Sequence, residues 1–391
     1  MIYLDNAATT EIRAEVVDAM APYLSGKFGN PSSLYSHGRQ SRQAINHARE
    51  QVASFLGVSD EEHIIFTSGG SEANSLAIVG HAVQLAKART KGKMLHSGVE
   101  HECVLRSYKT AQIVGGFRIG KPNIANLLNG EIGHHDGAVR LVSVMYANNE
   151  LPLRFPVKEI AERVHEVGGL FHTDCVQAAS AFKIDVCDID CDFASISGHK
   201  IHGPKGVGAL YVKDKRTIHP LIGGSVSQEF GKRGGTENVA NIVGFGAACE
   251  YMQIHRAEIE NRILQAHQDF LEAFVAEATE NGLKFTINGN EPDNMNVLSI
   301  TIHGVDSQTL ILYADTHGIC ISAGSACHGT SIDPSHVLTE LGLAESAFDT
   351  IRVSFTDDSE LCSEDYQNAA KAIVKDAVAL WNQRGLIRGE Q

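Results

Sequence analysis

Long apolar runs are missing from this sequence of 391 residues. Charged residues or glycines break every apolar stretch well before the length of about 18 residues that a transmembrane helix requires. The N-terminus, Met1-Ile2-Tyr3-Leu4-Asp5, lacks the basic region and apolar core of a signal peptide. We therefore expect a cytoplasmic protein without a membrane-spanning segment.

Basic residues are few relative to acidic ones. Lysine and arginine together number 33, against 47 aspartates and glutamates, and the formal net charge is −14. An acidic surface repels the phosphate backbone of nucleic acids, so no direct nucleic-acid binding is expected.

The eight cysteines include no Cys-x-x-Cys pair, which argues against a disulfide framework and against a structural zinc site. Cys187 and Cys191 lie close together, but no second pair of potential ligands lies near them in the sequence. We interpret them as packed thiols and expect no metal site.

Short apolar strand segments alternate with helical segments up to about residue 255. Such alternation predicts a parallel sheet covered by helices on both faces. Beyond residue 255 the pattern changes to strand segments closed by a long helix, which indicates a smaller α+β unit. We predict a large domain over residues 15–255 and a small domain formed by residues 1–14 and 256–391.

One lysine stands at the end of an apolar strand segment. Lys200 follows Phe193–Ser197 and is surrounded by small residues, glycine and proline. A partly desolvated lysine amine loses its proton more readily and becomes nucleophilic enough to form an imine. An ordinary solvated lysine in a surface loop is the alternative, and this segment alone leaves both interpretations open.

Four other loops follow predicted strands, and ligands bind where such loops meet at one edge of a parallel sheet. The segment Ser68–Ser71 precedes a helix and suits an anion, although a plain tight turn would have the same composition. His101 could stack on a flat heterocycle or be structural. Asn149 follows a third strand. Asp174 ends an apolar segment, where a carboxylate is costly unless a cation lies beside it.

An imine-forming lysine, a carboxylate, an anion-binding loop and a stacking ring together suit pyridoxal 5'-phosphate (PLP). The chain resembles the class V, fold-type I PLP enzymes, and within them the cysteine desulfurases of the NifS/IscS kind. The resemblance implies a large α/β domain with a mainly parallel seven-stranded sheet covered by helices, and a smaller α+β domain. The matching stretches include Tyr3–Thr10, Gly29–Ser33, Ser197–Lys200, Gly203–Gly206, Ser325–Cys327 and Ile351–Ser354.

The resemblance implies a role in cofactor binding for each matching residue. Lys200 would bind PLP covalently, and Asp174 would pair with the pyridine nitrogen. His101 would stack on the ring and help to transfer protons, and Gln177 would hydrogen-bond the phenolic oxygen.

The resemblance also implies how the phosphate and the substrate are held. Asn149 and Arg352 would bind the substrate carboxylate, a task that suits a bidentate guanidinium. Thr236 would reach the phosphate of the neighbouring subunit, which implies a homodimer. The residues that would hold the phosphate within one subunit are Gly70, Ser71, Ser197 and His199.

Cys327 lies in a stretch of small residues, and the resemblance implies that its thiolate is the catalytic nucleophile. The enzyme would be a cysteine desulfurase that takes sulfur from L-cysteine, releases L-alanine and carries a persulfide on Cys327. A sulfur-acceptor protein would receive that sulfur. The alternatives are a selenocysteine lyase, a cysteine-sulfinate desulfinase, another aminotransferase-like enzyme of class V, or a catalytically silent scaffold.

The segment 223–236 departs from the pattern of the family. It has two added residues, Phe230 replaces an arginine, and Gly234 replaces a serine. The departure favours a specialised branch, such as one that supplies sulfur for DNA phosphorothioation or tRNA thiolation, over general iron–sulfur cluster assembly.

Overall fold

The computed structural model describes residues 1–129, 137–289, 296–323 and 334–388. Contacts between residues divide the chain into two compact units. Unit 1 consists of Met1–Thr9, Asn148–Arg154 and His255–Gln391, and unit 2 consists of Thr10–Ala147 and Phe155–Ile254.

The strands of the described residues are short, mostly of two to six residues. They are β1 (Ile2–Tyr3), β2 (Ile64–Thr67), β3 (Lys93–His96), β4 (Arg118–Gly120), β5 (Val139–Ser143), β6 (Leu170–Asp174), β7 (Phe193–Ser197), β8 (Gly208–Val212), β9 (Phe285–Asn288), β10 (Val297–Ile302), β11 (Ile319–Cys320) and β12 (Thr350–Ser354).

The α-helices of the described residues range from single turns to long helices of unit 1. They are α1 (Ala14–Leu24), α2 (Ser36–Phe55), α3 (Gly70–Lys87), α4 (Glu102–Gly115), α5 (Ile124–Leu128), α6 (Val157–Glu166), α7 (Ala178–Ala181), α8 (Val186–Ile189), α9 (Val239–Ile254), α10 (Arg256–Glu280), α11 (Ser307–Thr316), α12 (His336–Glu340) and α13 (Ser363–Arg388).

Unit 2 is built on a seven-stranded sheet in the order β2-β8-β7-β6-β5-β3-β4. Strand β8 runs antiparallel to both of its neighbours, and every other pair is parallel. The predicted α/β fold with a mainly parallel sheet of seven strands is therefore confirmed. Because β8 is antiparallel to both β2 and β7, these two strands point the same way. The carboxyl ends of β2, β3, β5, β6 and β7 therefore lie at one edge of the sheet.

The central strands of this sheet are buried on both faces. All five residues of β7 and all five of β8 are buried, which is the pattern of a sheet with helices on both sides. On one face, Leu76 and Ile78 of α3 and Val104 and Tyr108 of α4 pack into a core cluster with Phe193 of β7. This packing holds the starts of α3 and α4 firmly at the sheet.

Unit 1 contains an antiparallel sheet in the order β12-β10-β9 and a parallel pair of β1 with β11. In the second pair, Ile2 faces Ile319 and Tyr3 faces Cys320. Beneath the three-stranded sheet, Phe355 stacks edge-on against Phe270 of α10, with ring centroids 5.8 Å apart. The small unit thus has an aromatic core of its own.

Among the described residues, no helix combines the length and the apolar character that crossing a membrane would require.

Candidate active site

The edge of the unit 2 sheet where parallel strands end carries most of the residues singled out from the sequence. Asp174 is the last residue of β6, and Ser197 is the last residue of β7. The loop after β2 leads into α3 at Gly70, and His101 immediately precedes α4. Fold topology alone therefore brings these side chains to one edge.

The Asp174 carboxylate is 4% exposed and accepts hydrogen bonds on both oxygens. Its Oδ2 accepts from Nδ2 of Asn74 at 2.7 Å, and its Oδ1 accepts from the backbone N–H of Val176 at 2.9 Å. Each carboxylate oxygen has a second lone pair, so the group can still accept a hydrogen bond from a protonated ring nitrogen. A buried carboxylate in this setting suits a cationic ligand.

The start of α3 forms a cradle that fits an anion. The first N–H groups of this long helix have no carbonyl partner within the helix and carry its positive end. A Cβ added at Gly70 would lie 2.7 Å from Cγ2 of Val176 and 3.5 Å from Cβ of Ser197. Glycine thus lets the helix start approach the strand ends, and Ser71 follows it in the first turn. The donor set suits a phosphate group.

Lys200 closes a single 3₁₀ turn, Gly198–Lys200, that follows β7 directly. Thr10 holds this turn, because its backbone N–H and its Oγ1 both donate to the carbonyl of His199, at 2.9 and 3.1 Å. The carbonyl of Gly198 accepts in addition from the N–H of Gly203 at 2.9 Å. The lysine is therefore carried by anchored backbone and is partly buried, as an imine-forming amine requires.

His199 is neutral in this setting. Desolvation, together with the smaller effects of the Lys200 and Lys205 charges, lowers its pKa to about 4. A neutral imidazole donates one N–H. His199 can therefore donate to an anion without adding a positive charge.

Two further residues that the resemblance suggested for cofactor binding lie directly before helices. Gln177 precedes the short helix α7 and is nearly buried. His101 caps α4, and its Nδ1 accepts from the backbone N–H of Cys103 at 3.2 Å. Both residues therefore lie directly before a helix at the sheet edge, and His101 is in addition held by its capping hydrogen bond.

Glu100, beside His101, is fully buried. Ser97 Oγ and the Met145 N–H both donate to its Oε1, at 2.5 and 2.8 Å. Burial raises the pKa of Glu100 to about 8 in spite of these hydrogen bonds, and the nearby Asp174 charge raises it too. At neutral pH this side chain is mostly protonated, so it adds little negative charge next to Asp174.

In unit 1, Arg352 is 1% exposed and already has partners. Its Nη2 donates to Oδ1 of Asp5 at 2.6 Å, and its Nη1 donates to the backbone carbonyl of Asn149 at 2.9 Å. Its Nε is buried and has no hydrogen-bond partner among the described residues. The Arg352 guanidinium can still donate further hydrogen bonds. Its positive charge is already balanced by the Asp5 carboxylate, a pairing that the sequence did not reveal.

Thr236 is exposed and lines a cavity of about 230 Å³ in unit 2. Glu237, next to it, is buried, and its Oε1 lies 3.1 Å from Nη2 of Arg42. The other lining residues include Ser68, Gly206, Glu229, Arg233 and Asn238. The cavity thus adjoins both the loop after β2 and the segment 223–236.

The segment 223–236, which differs from the family pattern, is attached to the rest of unit 2 by a buried ion pair. Arg49 of α2 donates to both oxygens of Glu229, at 2.6 and 2.8 Å, and the N–H of Phe66 donates to the same carboxylate. Phe230 lies against Arg49 and Lys215, with its ring centre 5.1 and 4.0 Å from the two cations. An arginine at position 230, as in the family pattern, would face two cations here.

We expect Glu229→Gln to lower the free energy of unfolding of unit 2 by about 3 kcal/mol, because it leaves the Arg49 cation buried without its anion. Thermal unfolding of the purified protein measures this loss. The matched control is Glu62→Gln, which breaks a surface pair with Lys215 at 3.1 Å and should cost less than about 1 kcal/mol. Equal losses in the two variants would contradict the prediction.

Cys327 lies outside the described residues. The sequence assigned no role to Asn74, Cys103, Asp5 or Glu100. Asp5 lies in the matching stretch Tyr3–Thr10, but that stretch assigned it no ligand. An asparagine in the second turn of a helix, for example, carries no sequence signal of its own.

Comparison with known proteins identifies the family. The family model described as Aminotransferase class-V matches residues 2–361. The chain is 40% identical over 359 residues to the Cysteine desulfurase IscS of Dictyoglomus turgidum, an alignment that covers 90% of this chain and 88% of the relative.

Solved structures give the same result. A NifS-like protein superimposes with a TM-score of 0.84 at 29% identity, over 96% of this chain and 98% of that one. A structure described as SspA in complex with cysteine has a TM-score of 0.75 at 32% identity, over 91% and 99% of the two chains. The chain belongs to the class-V aminotransferase family. Within this family it groups with the cysteine desulfurases of the NifS/IscS kind, as its motifs predicted.

Proposed function

We propose that the protein is a PLP-dependent cysteine desulfurase that converts L-cysteine to L-alanine and leaves a persulfide on Cys327. The proposal rests on the group of residues at one edge of the unit 2 sheet. The buried carboxylate of Asp174, the start of α3 at Gly70 and the anchored turn that carries Lys200 all lie at this edge, and the family uses PLP.

Bound PLP supplies an electron sink for cleavage of bonds next to the substrate amino group. Asp174 would hold the ring nitrogen, His101 would lie against the ring, and Gln177 would donate to the phenolic oxygen. Lys200 would form the covalent link. The N–H groups of Gly70 and Ser71, together with Ser197 and His199, would bind the phosphate.

Arg352 and Asn149 are the proposed carboxylate-binding residues. The backbone carbonyl of Asn149 already orients the guanidinium, and Asp5 balances its charge. An incoming carboxylate would therefore share the Arg352 donors with Asp5 or replace it.

Sulfur transfer needs no external oxidant. The Cys327 thiolate attacks the sulfur of L-cysteine, the carbon–sulfur bond breaks, and a sulfur–sulfur bond forms. The carbon that loses sulfur gains a proton and becomes the methyl group of L-alanine. A protein acceptor would then remove the outer sulfur of the persulfide.

The sequence alone predicts a homodimer, in which Thr236 would reach the phosphate of the partner subunit. It also predicts a cytoplasmic location and a protein that accepts the sulfur for one dedicated pathway. The altered segment 223–236 supports a specialised pathway such as DNA phosphorothioation or tRNA thiolation.

The decisive experiment adds L-cysteine to the purified, PLP-loaded protein. We expect one L-alanine for each sulfur transferred, and a gain of one sulfur atom on the peptide that contains Cys327, measured by mass spectrometry. Alanine release from L-selenocysteine or cysteine sulfinate, without sulfur on Cys327, would instead identify one of the alternative class V activities.

A further inference from the structure

A continuous chain of hydrogen bonds joins Asp174 to His101 through two side chains to which no role has been given. Asn74 donates through Nδ2 to Asp174 Oδ2 at 2.7 Å and to Cys103 Sγ at 3.3 Å. Cys103 Sγ lies 3.0 Å from His101 Nδ1. Asn74 belongs to α3 and Cys103 to α4, so the chain links the two helices that begin at the sheet edge.

The direction of every hydrogen bond in this chain follows from one backbone contact. The N–H of Cys103 donates to His101 Nδ1, so that nitrogen is an acceptor and carries no proton. The thiol must then donate toward Nδ1, because two acceptors would otherwise face each other. Its sulfur lone pair is left to accept from Asn74.

The orientation of the Asn74 amide is fixed in the same way. With the amide reversed, its oxygen would face Asp174 Oδ2, and two acceptors would lie 2.7 Å apart. In the observed orientation Asn74 is 1% exposed, and its Oδ1 has no hydrogen-bond partner among the described residues. Leaving a buried acceptor unpaired costs free energy, which the two N–H contacts of this amide offset.

We propose that Asn74 and Cys103 are positioning residues: Asn74 sets the direction of the Asp174 carboxylate, and Cys103 holds the His101 imidazole with its proton on Nε2. The inference rests on the proposed function, because Asp174 and His101 matter together only if a heterocycle binds between them. The substitution Cys103→Ala would remove the thiol that contacts His101. It would also remove the sulfur that accepts the second N–H of the Asn74 amide.

The first test observes the tautomer directly. Full-length protein labelled with ¹⁵N-histidine, with and without PLP, should show an unprotonated Nδ1 and a protonated Nε2 for His101, assigned by loss of the signals in His101→Gln. In Cys103→Ala the two nitrogen shifts should move toward each other, because the thiol no longer donates to Nδ1. Cys103→Ser keeps a donor and should restore the original pattern.

The second test measures PLP affinity by equilibrium dialysis. Asn74→Ala should raise the PLP dissociation constant about thirtyfold, the effect of losing a hydrogen bond to a carboxylate. Cys103→Ala should raise it about fivefold, the effect of losing an ordinary hydrogen bond.

The matched control is Ser75→Ala, the next residue of α3. Ser75 Oγ lies 3.0 Å from Ser107 Oγ and takes no part in the chain, so its loss should leave PLP affinity within about twofold of the original. An exposed-thiol control, Cys187→Ala, should leave the His101 signals unchanged; Cys187 is exposed and not packed, contrary to the expectation from the sequence.

The outcomes separate this inference from the proposed function. If the unmodified protein binds no PLP, the proposed function fails, and the tautomer test still decides the role of Cys103. If the unmodified protein binds PLP but Cys103→Ala and Asn74→Ala match it in both measurements, the positioning role is wrong and the proposed function stands.

Discussion

Replacing Lys200 by alanine is expected to lower the rate of alanine formation from L-cysteine by at least about a thousandfold, as when a covalent catalytic group is removed. The reason is geometric as well as chemical. Lys200 ends a 3₁₀ turn that Thr10 and Gly203 anchor, so the backbone that carries its amine is fixed directly after β7. Borohydride reduction followed by peptide mass analysis measures the covalent link to PLP.

Lys205 provides the control, because it lies in the same loop and is exposed. Lys205→Ala should retain both the reducible link and turnover. A PLP adduct at Lys205 in the unmodified protein would contradict the assignment of Lys200.

Cys327→Ser is expected to abolish persulfide formation while PLP binding remains intact. A serine hydroxyl is a far weaker nucleophile toward sulfur than a thiolate, and oxygen cannot carry a persulfide. We expect alanine formation from L-cysteine to fall by at least about a thousandfold, with the PLP content unchanged. Absorbance and alanine quantification, made on the same sample, give the two readings.

The thiol control is Cys362→Ser, because Cys362 is exposed and precedes α13. This variant should transfer sulfur at the original rate. Continued alanine and sulfide release by Cys327→Ser would defeat the sulfur-transfer scheme and favour an enzyme that expels sulfur without a protein nucleophile.

The sheet edge could be predicted from the sequence because the pattern that makes a strand also locates its end. Apolar segments ending at Asp174 and Ser197 predicted strands, and parallel strands bring their ends together. The sequence pattern alone therefore makes the polar residues after such segments candidates for ligand binding. Motifs of the family then supplied individual roles.

The supporting contacts could not be predicted, because they join residues that are distant in sequence. Asn74 meets Asp174 across 100 positions, and Arg352 meets Asp5 across 347. A single asparagine in a helix, or an aspartate near the N-terminus, has no periodicity that would reveal such a partner. In the sequence, Cys103 is one thiol among eight, and only its distance to His101 distinguishes it.

Long-range contacts also explain why only the boundary near residue 255 is visible in the sequence. Residues Asn148–Arg154 group with unit 1, although they lie between strands of unit 2. Contacts such as the hydrogen bond from Ser335 Oγ to Glu150 Oε2 tie this segment to residues far along the chain. Local composition changes only near residue 255, where α9 ends and α10 begins.

The pairing of β1 with β11 has a consequence for the newly made chain. Strands β2 to β8 come from one stretch of the sequence, so their sheet can form during synthesis. Ile2 cannot pair until Ile319 has left the ribosome, which takes roughly half a minute at ordinary rates of elongation. For that time β1 lacks its partner strand, and ribosome-associated chaperones could bind it.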